Sequence, residues 1–335
     1  MSKPILVSGI QTSGRLHIGN YLGALKNFVD LQKSGKYQCY FFLADLHSLT
    51  EYPASAKEQQ KRVLELAADY LAAGLDPKKS VIYQQSQIPA HSELAWILNT
   101  ITPLGELERM TQYKDKAARQ SEGVNTGILT YPVLMAADII LYDAKFVPVG
   151  NDQDQHLELT RTLARKFNGK FPGRAGGKTF VEPQPLHTPT PRVMSLKDPT
   201  KKMSKSQPET CLFLDDSPAD IEAKIKGATT DSGSEVRFDP QNKPGISNLL
   251  GIYAGLSGRS VEKLEKEFAG QNYGAFKRAL IGVVTESLAP YRAKKAALLK
   301  KPTLLRTTLR QGSGRAAKVA SRKIALVKKA VGLML

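Results

Sequence analysis

The chain has 335 residues, 41% of them hydrophobic and 24% charged, with a mean hydropathy of −0.30; this can bury a full core in about two domains and excludes wholesale disorder. No apolar run approaches the ~18 residues of a membrane span, and Ile5-Leu6-Val7 is too short for a signal-peptide core, so the expectation is a cytoplasmic protein that is not in a membrane. The formal charge is +17, and thirteen bases follow Glu286 without one acid, which points to a polyanion partner or to a solvated basic surface.

In chain order, residues 4–8 read as a buried strand, about 17–34 as a helix, 37–43 as a second strand carrying Cys39, and 55–73 as a helix. Cys39 and Cys211 make neither a metal cage nor a disulfide framework and read as packing thiols. Residues 81–84 form a third strand and 91–99 a helix, with Trp96 expected in the core. Residues 126–143 form a very apolar helix broken locally at Pro132, followed by a short strand at 146–149 and a helix at 153–167. Short apolar runs alternating with amphipathic stretches imply an α/β fold with a parallel sheet. The run from Gly173 to Pro191 is an irregular, Gly/Pro-rich connection. Helical periodicity returns at 217–227, 245–255, 260–268 and 273–288, and Gly312-Ser313-Gly314 separates off a last amphipathic helix at about 315–331. A helical second domain is thus appended to an α/β catalytic one.

Four features carry chemistry. Gly14-Arg15-Leu16-His17-Ile18-Gly19-Asn20 places a strand, a turn and a helix start where backbone N–H groups and the helix dipole suit a phosphate, with His17 and Asn20 as donors. It is neither a dinucleotide fingerprint nor a Walker loop, and Gly19 and His17 could equally serve packing and capping. Lys202-Met203-Ser204-Lys205-Ser206 offers two lysines with intervening hydroxyls, a clamp for polyphosphate. Asp138 sits in a helix apolar on nearly every side, so its carboxylate must be paired; a structural ion pair and an acceptor awaiting a ligand N–H both satisfy that. Gly150-Asn151-Asp152-Gln153 follows a strand end, where α/β sheets bind ligands, and His47 follows the second strand.

The His-x-Gly-Asn turn and the Lys-Met-Ser-Lys-Ser loop together resemble the two signatures of class I aminoacyl-tRNA synthetases. The closest resemblance is to the bacterial tryptophanyl branch. It is carried by Gly9-Ile10-Gln11-Thr12-Ser13-Gly14, Ile18-Gly19-Asn20-Tyr21-Leu22-Gly23-Ala24-Leu25, Gly105-Glu106-Leu107-Glu108-Arg109-Met110-Thr111-Gln112, Leu134-Met135-Ala136-Ala137-Asp138, Val147-Pro148-Val149-Gly150-Asn151-Asp152-Gln153 and Lys243-Pro244-Gly245-Ile246-Ser247-Asn248-Leu249-Leu250. Asn20 stands where most of class I has His, as is usual for this branch. Thr12 stands where Pro is common, and the C-terminal segment is more purely basic than the family's.

The resemblance implies a Rossmann-like catalytic domain over residues 1–206 and a helical anticodon-binding domain over 207–335, the last helix folding back on the catalytic domain. It implies a homodimer that activates L-tryptophan with ATP, Mg²⁺ travelling with the nucleotide, and then esterifies tRNA(Trp). Gln11, Thr12, Ser13, Gly19, Asn20, Gly150, Asn151, Asp152 and Val193 would bind ATP with Lys202, Met203, Ser204, Lys205 and Ser206. His17, Asn20, Lys202 and Lys205 would act in catalysis, with no resident metal. Asp138 would accept the indole N–H, with Val7, His47, Tyr131, Met135 and Gln153 around the amino acid. Other readings compatible with the residues are a related nucleotidyltransferase, a tyrosine-specific enzyme and a non-catalytic RNA binder.

Overall fold

The computed structural model describes residues 3–50, 54–118, 123–150, 153–173, 176–187, 192–205 and 207–334. Five parallel strands form one sheet: β1 (Ile5–Gln11), β2 (Gln38–Ala44), β3 (Val81–Gln84), β4 (Phe146–Val149) and β5 (Gln184–His187), in the order β3-β2-β1-β4-β5. β1 and β2 pair from Ile5 opposite Gln38 to Gln11 opposite Ala44. Leu6, Val7, Phe41 and Leu43 are fully buried, because helices cover both faces; such strands read as continuous apolar runs. The strand order reverses at β1, between β2 and β4, and a crevice opens at their carboxyl ends.

β5 lies within the stretch expected to be irregular. Its Pro185 sits opposite Val147 and lacks an N–H, which an edge strand tolerates on its open side. The turn after β1 leads into α1 (Ile18–Asn20), a π-helical turn (Tyr21–Leu25) and α2 (Lys26–Ser34). α3 (Asp45–Ser48) caps the end of β2, and α4 (Ala56–Ala73) starts where Ser55 Oγ accepts from Glu58 N and ends at Gly74, φ 114°. α5 (Ala90–Asn99) follows β3, α6 (Leu104–Glu108) and α7 (Thr111–Ala117) cross to the next layer, and α8 (Thr126–Ile140) runs under the crevice. α8 is continuous through Pro132, against the expected break: the proline forfeits one backbone bond, and packing on both sides holds the helix. α9 (Asp154–Lys170) follows β4.

The remaining helices are α10 (Pro218–Lys226), α11 (Pro244–Ser257), α12 (Val261–Glu267), α13 (Tyr273–Leu299) and α14 (Pro302–Ala330). Gly312-Ser313-Gly314 does not separate a last helix; it lies inside α14. The reason is packing. α14 crosses the edge strand β3 so closely that a Cβ on Gly312 would stand 1.7 Å from the Ile82 carbonyl oxygen. Ser313 Oγ accepts from Gln84 N, and Arg315 donates to the carbonyls of Pro77 and Ser80, so the helix covers that edge. Its first half packs with Leu305 and Leu309 in one apolar core, and its second half with Ala316, Ala320 and Val327 in the core on the other face. Trp96, expected in the core, is 72% exposed: α5 turns Leu94, Ile97 and Leu98 inward and leaves position 96 outside. Among the described residues, no helix is long and apolar enough to cross a membrane.

Candidate active site

A cavity of about 530 Å³ opens where the strand order reverses. Of the residues singled out in the sequence, Val7, Gln11, Asn20, His47, Tyr131, Met135, Asp138, Gly150, Gln153 and Lys202 line it. Thr12 does not: it is buried, its hydroxyl donating to Ser48 Oγ and accepting from Gln59 Nε2, so only its backbone is left for a ligand. Ser13, His17, Gly19, Val193, Met203, Ser204 and Lys205 also lie off the cavity wall. Asn151, Asp152 and Ser206 fall outside the described residues.

The first signature turn is a capping box built from unusual residues. His17 is the N-cap of α1, its Nδ1 accepting from Asn20 N at 3.3 Å while its own N–H donates to Asn20 Oδ1 at 3.1 Å. This explains the spacing of the motif: His and Asn must stand three apart. Gly19 is required by space, since a Cβ there would touch the His17 ring at 3.0 Å and Val193 at 3.4 Å. Burial, reinforced by Lys205 and Lys202, pushes the His17 pKa down to about 3. The imidazole is therefore neutral, and because Nδ1 accepts, the proton sits on Nε2 as a donor.

The lysine loop closes over this turn. Lys205 Nζ donates to Ser13 Oγ at 2.9 Å and to the Gly14 carbonyl at 3.3 Å, bridging the two signatures. Burial lowers its pKa to about 8, the acidic neighbour Asp69 opposing. Met203, almost fully buried, anchors the loop, and its N–H donates to the Val193 carbonyl. Cys211 Sγ donates to the Ser204 carbonyl from beneath.

Asp138 is fully buried apart from its place on the cavity wall. His47 Nε2 stands 2.7 Å from Oδ2, His91 Nδ1 stands 2.6 Å from Oδ1, and Gln85 Nε2 straddles both oxygens at 2.8 and 2.9 Å. Gln85 cannot flip, because its Oε1 accepts from Leu46 N. Burial pushes the carboxyl pKa up, and the bonds from His47 and His91 more than reverse this, so Asp138 lies below the ordinary aspartate value and is ionised. A carboxylate offers about four acceptor sites; the three donor nitrogens make four contacts with them, Gln85 Nε2 being shared between the two oxygens, so a ligand N–H would share an oxygen with Gln85. Tyr131 presents its ring rather than its hydroxyl, which pairs with His156 Nε2 at 2.7 Å; Lys116 Nζ lies 4.0 Å from the ring centre.

The helical segment holds both signatures in register. Asn248 of α11 accepts from Met194 N and donates to the Met194 carbonyl, gripping the chain beside Val193. Arg15, inside the first signature, pairs with Asp215 and Asp216; Lys295 of α13 pairs with Asp215 and with Asp69 of α4. Burial lowers the Lys295 pKa, but the two carboxylates raise it further, so it stays charged. One buried cation thus ties α4, α13 and the turn together.

Sequence reasoning missed Gln85, His91 and Tyr142 around Asp138 and Lys116 on the cavity wall, and gave no role to Gln112, which ends one of the motifs and lines the cavity. The signal was present: Gln85 and His91 are polar residues in otherwise apolar surroundings, and Asp138 demanded donors. Likenesses to known proteins bear on this site. The family model of tRNA synthetases class I (W and Y) matches residues 1–289. A tryptophan–tRNA ligase of Caldanaerobacter subterraneus subsp. tengcongensis is 48% identical over 331 residues, 98% of each chain. The crystal structure of tryptophanyl-tRNA synthetase from Mycoplasma pneumoniae superposes with a TM-score of 0.87 at 37% identity over 98% of both chains. That from Campylobacter jejuni, complexed with ADP and tryptophan, gives 0.81 at 35% over 98% of this chain and 99% of its own. The two signatures, the reversal-point cavity and these likenesses agree: the chain belongs to the class I tRNA synthetase family of the tryptophanyl and tyrosyl enzymes.

Proposed function

We propose that this chain joins L-tryptophan to tRNA(Trp) in two steps, and that the observation carrying the amino-acid choice is the buried, ionised Asp138 on the cavity wall. The tryptophan carboxylate attacks the α-phosphorus of ATP, forming the acyl–phosphate bond of tryptophanyl-adenylate as the bond to pyrophosphate breaks. A ribose hydroxyl of the terminal tRNA adenosine then takes the acyl group and AMP leaves. The nucleophile is already ionised, so the first step needs no general base; positioning and charge stabilisation carry it. This agrees with a site built of donors and cations.

Asp138 accepts the indole N–H, with Val7, His47, Tyr131, Met135 and Gln153 packing around the amino acid. Gln11, Asn20 and Gly150 contact the nucleotide; the backbone of Thr12 and Ser13, with Gly19 and Val193, shapes that end of the site, and Asn151, Asp152 and Ser206 complete it. His17 gives its Nε2–H to a phosphate oxygen. Lys202 and Lys205 hold the departing pyrophosphate, Met203 and Ser204 seating their loop. Mg²⁺ enters with ATP as part of that substrate. The Campylobacter jejuni enzyme, solved with ADP and tryptophan, supports both ligands. Residues 207–335 meet the anticodon region of the tRNA, and a second copy of the chain is the partner that Trp96 and Leu104, 72% and 58% exposed, would face in a cytoplasmic homodimer.

The test is charging of tRNA(Trp) with labelled tryptophan and ATP. Ester formation that needs all three substrates is expected; adenylate formed without any transfer to tRNA would leave only the first step standing.

A further inference from the structure

Behind Asp138, on the side away from the cavity, lies a buried histidine that none of the chemistry above uses. His91 is fully buried and is not on the cavity wall. The rings of Phe42, Tyr83 and Tyr142 surround it, with centroids 5.6 to 6.3 Å away. Both ring nitrogens are engaged: Nδ1 with Asp138 Oδ1 at 2.6 Å, Nε2 with the Tyr142 hydroxyl at 2.8 Å. The polarity of this chain follows from its ends. An ionised Asp138 can only accept, so Nδ1 carries the proton. Nε2, on the far side of the ring, is tied to the Tyr142 hydroxyl, so the ring is held at both ends. Tyr142 is itself fixed, since the next residue, Asp143 (φ 51°), ends the turn after α8 and pairs with Lys323 of α14 at 2.7 Å.

We propose that His91, oriented by Tyr142, is a positioning residue for amino-acid selection: it holds Oδ1 of Asp138 so that the carboxylate is set to accept the indole N–H. This rests on the reading of Asp138 as the indole acceptor. His47 and Gln85 also bond the carboxylate, but His47 lines the cavity and would touch substrate directly. His91 acts only through Asp138. Removing it leaves Oδ1 to the Gln85 donor that it shares with Oδ2 and loosens the carboxylate, which weakens a hydrogen bond rather than closing a pocket. The consequence is specific. Affinity for the flat bicyclic side chain survives, and preference for a side chain bearing N–H is lost.

The experiment compares pyrophosphate exchange on tryptophan and on β-(benzothiophen-3-yl)alanine, a near-isostere with sulfur in place of the N–H. The readout is the ratio of kcat/KM values in wild type, H91A, H91N, Y142F and D138A, with thermal unfolding recorded for each. H91A should shrink the ratio by about tenfold, mostly through KM for tryptophan and with KM for ATP unchanged. Y142F, which keeps the ring, should shrink it in the same direction and carries the test should H91A not fold. H91N, whose amide N–H can occupy the Nδ1 place, should restore most of the ratio. Equal losses for both amino acids, with the ratio intact in H91A and Y142F while D138A abolishes it, would overturn the role of His91 and leave the indole reading standing. A ratio that survives in D138A would overturn the indole reading itself, and this proposal with it.

Discussion

Among single residues, Lys205 departs from ordinary solution chemistry in a pH range that kinetics can reach. Its side chain is half-buried against the first signature turn, and loss of solvent there brings its pKa to about 8. A polyphosphate needs the charged form, which is present below that value and lost as pH rises through it. kcat/KM for ATP should therefore fall about tenfold per unit above pH 8, and K205R, which stays charged, should abolish that limb. Pyrophosphate exchange from pH 6.5 to 9.5 checks this; a flat profile for the native chain would contradict it. His17 adds no limb in this range, because its pKa of about 3 keeps it neutral throughout. The residue types of this machinery were legible in the sequence because the capping box and the lysine loop are local. The donors to Asp138 were not, since Gln85 and His91 reach it only after β3 and α5 pack on α8, and no sequence spacing encodes that pairing. Thr12 shows the converse: a residue at the right place in a motif can still turn its side chain inward.

At the level of elements, the central strands could be read because burial on both faces makes them apolar throughout, and α4 because Ser55 and Gly74 bracket it. β5 could not, since an edge strand of four residues with a proline carries the composition of a loop. α14 misled for a related reason. Glycines ordinarily loosen a helix, yet here Gly312 is the residue that permits contact with β3, while Gly314 has nothing within 4 Å of its would-be Cβ. The two should respond oppositely to alanine. G312A forces the helix from the strand and should destabilise the protein by about 1–3 kcal/mol. G314A should stabilise it by about 0.5–1 kcal/mol, as expected for an exposed position inside a continuous helix. Urea denaturation measures both; a neutral G314A would argue that the helix is interrupted there.

Over the whole molecule, the basic C-terminal region divides into two populations that composition could not separate. Lys295 and Lys323 are buried and paired, Lys328 pairs with Glu93, and Arg315 donates to carbonyls at the edge of β3. These charges hold α13 and α14 to the α/β body. Lys318, Arg322 and Lys329 are exposed on α14. If they meet tRNA phosphates, replacing all three with Gln should flatten the log–log salt dependence of tRNA binding by about 0.7–0.9 per lost contact. Adenylate formation, which involves no tRNA, should not change, and an unaltered slope would reduce the exposed face to a solvated surface. A tryptophan-activating site built from the two signatures and Asp138 is open to one decisive assay, ATP–pyrophosphate exchange with each of the twenty amino acids in turn. Strong exchange is expected with tryptophan alone. Exchange with tyrosine in its place, or with none of the twenty, would contradict it.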